Sequence, residues 1–383
     1  MVQAAIFTPS TMELPMDLAS PGAMTTFSMD TNVIPRIDKL AFSYETAFKL
    51  GCHANLAYQV NTVNAKEVLE RWGFPESSFI DGRKLYKDND TQVYVASSPT
   101  VIVVAFRGSE GNVRDWLDTN AQMIRKPLPW LPPGITNGEA HSGFIEALCG
   151  KGEKDGQESI LDKVVQAIDK FQTTEGPRKQ VFLTGHSLGA ALATLMAMYL
   201  RGILFMPRIQ PTSNGGERVE VTNLRRSMPL TVYTLGSPRV MDDVLAIAYD
   251  HELRDKTFRI VRNRDIVTQL PPYAWGYTHV GTPIFLAANG TIETDPGEAE
   301  RALGWFHLKI KNLFEIARTM MIPVGGILDH FIGSGPLTNN GPFPGWIGLF
   351  VRDGGYLGAL AMGIAQTMTK MPAIGSAAVA KPH

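Results

Sequence analysis

The hydrophobic positions of this chain fall into short apolar runs typical of buried strands and longer stretches with helical spacing. Residues 101–106, VIVVAF, are apolar at every position, which indicates a central strand covered on both faces. Residues 93–96 precede them across the turn Ser97-Ser98-Pro99-Thr100, so the two runs predict a β-hairpin. Two further runs, 230–235 and 258–261, are also short and strand-like, and each ends in a polar turn.

Helical spacing of apolar residues marks two other stretches, 43–58 and 160–171. The apolar face of the second stretch would carry Ile160, Leu161, Val164, Val165, Ile168 and Phe171. Strands that alternate with helices in this way predict the α/β class, with a mostly parallel central sheet flanked by helices. In such sheets the functional residues lie at the carboxyl ends of the strands.

The stretch from Gln180 to Leu200 predicts a strand, a tight turn and a helix in direct succession. Its turn, Gly185-His186-Ser187-Leu188-Gly189, follows the G-x-S-x-G pattern, in which the serine hydroxyl is lifted out of the sheet edge on strained backbone. Glycines are needed there because the strand and helix backbones approach closely. The amide of Leu188 can point at a developing oxyanion. The pattern also occurs in unrelated loops, so the strand and the helix around it are what favour a nucleophile.

The composition excludes some classes of function. A formal net charge of -1 provides no basic excess to neutralise phosphates, so nucleic-acid binding is not expected. Cys52 and Cys149 are the two cysteines of the chain. They permit one disulfide but no disulfide framework. Two cysteines are therefore at least as consistent with a reducing compartment as with an oxidising one. No motif of the sequence indicates a metal ion or another cofactor.

We expect three segments along the chain. Residues 1–35, rich in Met, Pro, Ser and Thr, predict a flexible arm, 36–335 a single α/β domain, and 336–383 an apolar extension packed on that domain or at an interface. The amino-terminal residues lack a basic region, so a secretory signal is not expected. Residues 331–351 are uncharged, but their glycines and prolines argue against a membrane span. A cytoplasmic or peripheral intracellular-membrane location follows as an expectation.

A nucleophilic serine needs an imidazole base and usually a carboxylate that fixes the imidazole tautomer. After Ser187 the best carboxylate candidate is Asp265, which directly follows an apolar strand and precedes a rigid Leu-Pro-Pro turn. A turn residue or helix cap is the alternative interpretation of this aspartate. Two histidines, His279 and His330, follow Asp265 in loop-like contexts. His330 is favoured because it comes after a Gly-Gly break, while His279 stays an alternative.

These residues belong to five motifs that resemble, in order, the motifs of the class 3 lipases, which are fungal-type α/β-hydrolase lipases. The motifs are Phe106-Arg107-Gly108-Ser109, Gly185-His186-Ser187-Leu188-Gly189-Ala190-Ala191-Leu192-Ala193, Gly236-Ser237-Pro238-Arg239-Val240, Asn263-Arg264-Asp265-Ile266-Val267 and Asp329-His330.

The resemblance implies an α/β-hydrolase fold and a catalytic triad of Ser187, Asp265 and His330. It also implies an oxyanion hole formed by the backbone amides of Ser109 and Leu188. By the same resemblance, His141-Ser142-Gly143-Phe144 is a structural strand-to-helix element and Tyr277 to Gly281 a framework strand. Two cysteines cannot supply the disulfides of the secreted fungal members, so the chain is more similar to the intracellular branch.

A lid over the site is a further expectation from the resemblance. Residues 110–119 fit a short lid helix whose apolar side carries Val113, Trp116 and Leu117, although an ordinary surface helix with Trp116 in the core is the alternative. The Pro-rich loop 126–135 is a second candidate. Its apolar residues Trp130 and Leu131 could form a rim at the sheet edge together with Tyr273, Trp275 and Tyr277, or they could belong to the core.

The sequence therefore predicts a serine hydrolase that cleaves carboxylic esters of lipids, such as an acylglycerol lipase or a phospholipase or galactolipase of the A1 type. The expected partner is a lipid ester at an aggregate or membrane surface. Two alternatives remain: a short-chain or aromatic carboxylesterase, and a lipid-binding or signalling scaffold that keeps the hydrolase fold without catalysis. The second alternative would usually lack a triad residue.

Overall fold

One sheet lies at the centre of the part of the chain that the computed structural model describes. That part comprises residues 42–59, 63–85, 89–108, 124–130, 138–150, 158–173, 175–202, 208–211, 217–220, 228–262, 265, 267–287, 290–293, 356–357, 359–360 and 363. The predicted arm 1–35 and most of the extension 336–383 lie outside these residues.

The described strands have the following bounds in chain order: β1 (Glu76–Asp81), β2 (Gln92–Ser97), β3 (Val101–Phe106), β4 (Arg125–Lys126), β5 (Ala140–His141), β6 (Gln180–His186), β7 (Arg208–Pro211), β8 (Glu217–Glu220), β9 (Leu230–Leu235), β10 (Thr257–Arg262), β11 (Thr282–Leu286) and β12 (Ile292–Glu293). Eight of them form the central sheet in the spatial order β1-β2-β3-β6-β9-β10-β11-β12. The pairs β4-β5 and β7-β8 form two small antiparallel ribbons.

The strands from β3 to β11 in this spatial order run parallel, and antiparallel pairs occur at the two ends of the sheet. The registers bring the carboxyl ends of the central strands together: Phe106 pairs with Gly185, His186 with Leu235, and Leu235 with Ile260. The turns that follow β3, β6, β9 and β10 therefore meet at one edge of the sheet. We refer to this edge as the carboxyl edge.

The helices have the following bounds: α1 (Tyr44–Leu56), α2 (Val63–Arg71), α3 (Gly82–Leu85), α4 (Ser142–Cys149), α5 (Ile160–Phe171), α6 (Leu188–Arg201) and α7 (Asp243–Leu253). Local sequence signals explain their ends. Ser159 and Asp162 form a capping box at the start of α5, and Asp242 accepts the amide of Leu245 at the start of α7. Gly202, with φ 64°, ends α6 in the left-handed conformation.

Both faces of the sheet are covered by apolar side chains. On one face, which we call the α6-side core, residues of α4, α5, α6 and α7 pack against strand residues such as Val93 and Val95. On the opposite face, the α1-side core, residues of α1 and α2 pack against strand residues such as Tyr94 and Ala96. Alternate residues of β2 thus enter opposite cores, as the pleat of a strand requires. All six residues of VIVVAF are buried for the same reason.

The predicted fold class is confirmed, since the central sheet is mostly parallel and helices lie on both of its faces. The predicted hairpin and the helices near 43–58 and 160–171 are also confirmed. One expectation needs correction. The segment Tyr277 to Gly281 is not a strand, because Thr278 forms only an isolated bridge to Met241 and Gly281 has φ 75°. Strand β1 was not predicted from the sequence, because it lies at the sheet edge and its first residues are polar and partly exposed.

The short carboxyl-terminal part that the structure describes belongs to the α1-side core. Tyr356, Leu357, Ala359 and Leu360 are all buried there, next to α1. A Cβ atom on Gly51 of α1 would lie 2.8 Å from Leu357 Cδ2, so the helix and this segment approach each other closely. Residues more than 300 positions apart in sequence therefore share one core.

The two cysteines do not form a disulfide. Cys52 is buried in the α1-side core, whereas Cys149 packs against the α6-side core on the other face of the sheet. Burial raises the pKa of both thiols to about 12. Within the described ranges, none of the helices combines the length and the apolar character that a membrane span would require.

We expect Leu360→Ala to lower the free energy of unfolding by about 2–5 kcal/mol, since it removes a fully buried side chain from the α1-side core. Urea unfolding followed by circular dichroism would measure the change. The control is Ile247→Ala on α7, where the side chain is 72% exposed and the expected change is at most about 0.5 kcal/mol. Equal stability of Leu360→Ala and the wild type would contradict the packing described here.

Candidate active site

Ser187 lies at the carboxyl edge, between the last residue of β6 and the first residue of α6. Its backbone has φ 58° and ψ -125°, and it is the single non-glycine residue with a positive φ among the residues that the structure describes. Such a conformation costs about 1–3 kcal/mol and persists only where the surroundings enforce it. The amide of Ser187 donates to the carbonyl of Leu235 at 3.0 Å, which ties the turn to β9.

Two glycines make this turn possible. A Cβ atom on Gly185 would overlap the backbone of Gly189, and one on Gly189 would overlap the carbonyl of Phe106 in β3. The backbones of β6, β3 and α6 therefore touch at the turn, and a side chain at either position would push them apart. This close packing is the physical reason for the two outer glycines of the G-x-S-x-G pattern.

The Ser187 hydroxyl makes no capping hydrogen bond to α6, although it occupies the capping position of that helix. The hydroxyl is thus not used by the backbone of the helix that follows. Leu188 is the first residue of α6, a helix of 14 residues, so its amide lies at the positive end of the helix dipole. A half-buried serine hydroxyl and a helix amino-terminus consequently lie side by side.

The chain after β3 reaches the same turn. A Cβ atom on Gly108 would overlap the hydroxyl of Tyr58 and lie 2.6 Å from the carbonyl of His186, so the end of this strand is pressed against the serine turn. Ser109, the next residue and a predicted oxyanion-hole donor, lies outside the described residues. The predicted lid residues Val113, Trp116 and Leu117 also lie outside them.

Asp265 lies at the carboxyl edge beyond β10 and is fully buried. Its Oδ1 accepts the amide of Val267 at 2.9 Å, and its Oδ2 accepts the hydroxyl of Tyr356 at 2.6 Å. Its own amide donates to the carbonyl of Arg262 at 3.0 Å. Because neighbouring strands lie about 4.8 Å apart, only two strand spacings separate the ends of β6 and β10. Ser187 and Asp265 therefore share one edge of the sheet.

Arg239 holds the loop that follows Asp265. This buried side chain donates from Nη1 to the carbonyl of Gln269 and, at 3.0 Å, to that of Pro271, while its amide donates to the carbonyl of Leu270 at 2.6 Å. The arginine of the Gly-Ser-Pro-Arg motif thus connects the turn after β9 to the turn after β10. The motif was recognised in the sequence, but this role of its arginine was not predicted.

Two described histidines near the site, His279 and His186, form hydrogen bonds with groups other than Ser187 and Asp265. His279 Nε2 lies 2.7 Å from the carbonyl of Thr268, to which it can only donate, so this ring supports the loop after Asp265. His186 Nδ1 lies 2.8 Å from the hydroxyl of Tyr58, beneath the serine turn. His330, the favoured base, lies outside the described residues.

Of the aromatic residues considered for a rim, two are exposed and two others pack against the protein interior. Tyr273 and Trp275 are 50% and 44% exposed on the turn after Pro272, close to the carboxyl edge. Tyr277 is fully buried and its ring lies 5.5 Å from the guanidinium of Arg125, which agrees with the core alternative. Trp130 packs edge-on against Tyr199 at the α6-side core, which also agrees with the core alternative.

One contact of the site could not be found in the sequence. Tyr356 comes 91 positions after Asp265, in an apolar stretch without any chemical motif. Local periodicity predicts at most that this stretch is helical, and it says nothing about the partner of the phenol.

Residues 103–275 match the family model described as Lipase (class 3). The chain is 28% identical over 222 residues to the "Secreted mono- and diacylglycerol lipase 1" of Fusarium solani, with 57% of this chain and 54% of the relative covered. It is also 28% identical over 192 residues to the "Phospholipase A1-II 3" of Oryza sativa subsp. japonica, with 48% and 42% covered.

A solved structure of the Rhizomucor miehei lipase propeptide complex matches 67% of this chain and 74% of its own, with 23% identity and a TM-score of 0.45. The chain spans about half the length of the curated relatives it matches.

We expect acid to destabilise the fold before most carboxylates are protonated, because two buried histidines stay neutral. Burial lowers the pKa of His53 to about 3 and that of His141 to about 4, from an ordinary value of 6.5. Below pH 6.5 the unfolded chain binds protons that the folded chain does not bind. The free energy of unfolding should therefore fall by about 1.4 kcal/mol per pH unit for each histidine as the pH drops from about 6.5 towards 4.

Urea unfolding at pH 7, 6 and 5 would measure this slope in the wild type and in His141→Asn. Asparagine keeps an acceptor for the amide of Gly143, which His141 Nδ1 binds at 3.1 Å, but it does not titrate. In this variant the free energy of unfolding should change less steeply with pH, by about 1.4 kcal/mol per pH unit, because one histidine no longer titrates. This holds whatever the stability of the variant at pH 7. An unchanged slope would mean that His141 is not held neutral.

Proposed function

We propose that this chain, whose residues 103–275 match the family model of the class 3 lipases, is a serine hydrolase that cleaves carboxylic esters of lipids. The observation that carries the proposal is the strained Ser187, displayed at the amino-terminus of α6 on the same sheet edge as Asp265. A hydroxyl in that position faces the end of a helix dipole, where negative charge is stabilised.

We propose the following roles in the reaction. Ser187 attacks the ester carbonyl, and His330 accepts its proton as general base. The Leu188 and Ser109 amides stabilise the oxyanion of the tetrahedral intermediate. Collapse of the intermediate releases the alcohol, which takes its proton from His330, and leaves an acyl group on Ser187. His330 then activates water to release the fatty acid.

Asp265 fits the role of the carboxylate that holds the imidazole. A buried aspartate that accepts hydrogen bonds from a backbone amide and a phenol has a defined orientation. Such a carboxylate selects one imidazole tautomer and stabilises the imidazolium that forms during the reaction. The scaffold alternative is disfavoured, since serine, aspartate and histidine are all present in the sequence.

The proposed substrates are acylglycerols or phospholipids, because matched relatives are named for those activities. Both classes present the same kind of ester to the serine, and contacts to the head group would distinguish them. The exposed rings of Tyr273 and Trp275 near the carboxyl edge favour a reaction at a lipid surface over one on a small dissolved ester. We therefore expect the protein to act at aggregates or at a membrane.

We expect Ser187→Ala to lower turnover of p-nitrophenyl butyrate by about 10³-fold or more, because the nucleophile is lost while the fold is kept. A fluorophosphonate probe should label Ser187 of the wild type and not label this variant. Wild-type turnover in Ser187→Ala would contradict the mechanism. Absence of labelling together with absence of activity in the folded wild type would instead favour the non-catalytic scaffold.

Two histidine variants test the assignment of the base. His330→Ala should lose about as much turnover as Ser187→Ala, since members of a triad act as a unit. His279→Ala should lower the free energy of unfolding by about 1 kcal/mol, because its hydrogen bond to Thr268 is removed, while turnover stays close to wild type. The opposite pattern would move the role of the base to His279.

We expect the double variant Tyr273→Ser and Trp275→Ser to lose activity on emulsified long-chain esters, but to keep its turnover of p-nitrophenyl butyrate below the aggregation limit. The two rings supply exposed apolar area that would enter the lipid surface. The control is Ile247→Ser, which removes an exposed apolar side chain from α7. An equal loss in the control, or no loss in the double variant, would contradict a specific surface contact at this turn.

A further inference from the structure

Tyr356 connects the carboxyl-terminal segment of the chain to the aspartate of the proposed triad. Its ring is fully buried in the α1-side core, and its hydroxyl lies 2.6 Å from Asp265 Oδ2. The same oxygen lies 3.1 Å from the amide of Arg262, the last residue of β10. This tyrosine lies well beyond residues 103–275, the part that matches the family model.

The chemistry of the two contacts defines the direction of each hydrogen bond. The amide of Arg262 can only donate, so the phenol oxygen accepts it, and the phenol hydrogen points to the carboxylate. Burial, with a smaller contribution from the charge of Asp265, raises the pKa of Tyr356 well above 10. The phenol is therefore protonated throughout the working range of a hydrolase, and it donates to the carboxylate at every pH in that range.

The packing around the ring allows little movement of the hydroxyl. Leu357 and Leu360 lie against Gly51 of α1, and Gly363 lies against the ring of Tyr44. These neighbours hold the segment against α1, so the position of the phenol is set by the core and not by the aspartate. A donor that is held independently can orient the acceptor to which it donates.

The surroundings of the hydroxyl contain few other titratable or charged groups among the described residues. Arg262 lies next to it on β10, and its charge opposes the rise in the pKa of the phenol. His186, which directly precedes Ser187, faces the ring edge-on at a centroid distance of 6.0 Å. His186 is in turn bound to Tyr58. Tyr356 thus touches both the carboxylate and the residue that precedes the proposed nucleophile.

We propose that Tyr356 is a positioning residue for catalysis: its hydroxyl orients the Asp265 carboxylate and sets how strongly this carboxylate raises the basicity of the imidazole base. The inference rests on the proposed function. The hydrogen bond withdraws part of the negative charge of the carboxylate. Without it, the carboxylate would attract the imidazole proton more strongly but would hold the ring in a less defined orientation.

Tyr356→Phe tests the inference, because it removes one oxygen atom and keeps the ring. We expect kcat for p-nitrophenyl butyrate to fall about tenfold with KM unchanged, as for the loss of one hydrogen bond to a charged group. We also expect the acid limb of kcat/KM to move to higher pH by a few tenths of a unit, since the imidazole becomes more basic. An acid limb that is unchanged or lies at lower pH would overturn the proposal.

Tyr44→Phe is the matched control. It also removes a buried phenol oxygen next to the carboxyl-terminal segment, one that donates to the carbonyl of Gly290 at 3.0 Å and has no contact with Asp265. It should lower stability without changing kcat or the pH profile. A change of the pH profile in this control equal to that in Tyr356→Phe would reduce the role of Tyr356 to packing, and would overturn the proposal.

Incorporation of 4-aminophenylalanine at position 356 should restore most of the kcat, since the amino group supplies a donor at the same place. If Tyr356→Phe fails to fold, 3-fluorotyrosine at this position takes over the test. Its more acidic phenol donates more strongly, so the acid limb of kcat/KM should move to lower pH. An unmoved limb in a folded fluorotyrosine protein would contradict the inference.

A double-mutant cycle separates this inference from the proposed function. In an Asp265→Asn background, Tyr356→Phe should change kcat by less than about twofold, because its acceptor no longer carries the charge. If Ser187→Ala and Asp265→Asn both keep wild-type turnover, the proposed function is wrong. If both lose most of their turnover while Tyr356→Phe is indistinguishable from wild type, only the role of Tyr356 is wrong.

Discussion

The close approach of three backbones at Ser187 is the constraint on which the rest of the site depends. Gly185 and Gly189 let β6, β3 and α6 touch, and this contact holds Ser187 in a conformation that costs about 1–3 kcal/mol. The cost is offset by burial of α6 against the sheet, where nearly all of its residues are inaccessible to water. A rigid and well-packed sheet is therefore what keeps the serine displayed at the carboxyl edge.

The second part of the site is built around a buried carboxylate that is stabilised by ordinary polar contacts. Asp265 is held by the amide of Val267 and the hydroxyl of Tyr356, and Arg239 fastens the loop behind it to the turn after β9. Each contact comes from a different segment. The orientation of the carboxylate therefore depends on all of these segments being in place at the sheet edge. The fixed direction of the Asp265 carboxylate is what its proposed role requires, because that role is to orient an imidazole ring.

The layer that contains α1 contributes to the site as well as to the core. Tyr58, just after α1, binds His186 beneath the serine turn, and Tyr356 reaches the aspartate from a segment packed on α1. Both tyrosines lie outside residues 103–275, the part that matches the family model. The site therefore depends on contacts from the α1 layer as well as from the sheet edge.

The sequence by itself determined the features that depend on neighbouring residues. The hairpin, the helix α5 and the strand, turn and helix around Ser187 follow from periodicity and glycine placement within about twenty residues. The order of the polar turns also placed Ser187 and Asp265 at one edge. Only the tertiary structure decided that Tyr277 is buried and that Tyr356 donates to Asp265, because these contacts join residues far apart in sequence. No local pattern specifies such a pair, since the packing of the whole core brings it together.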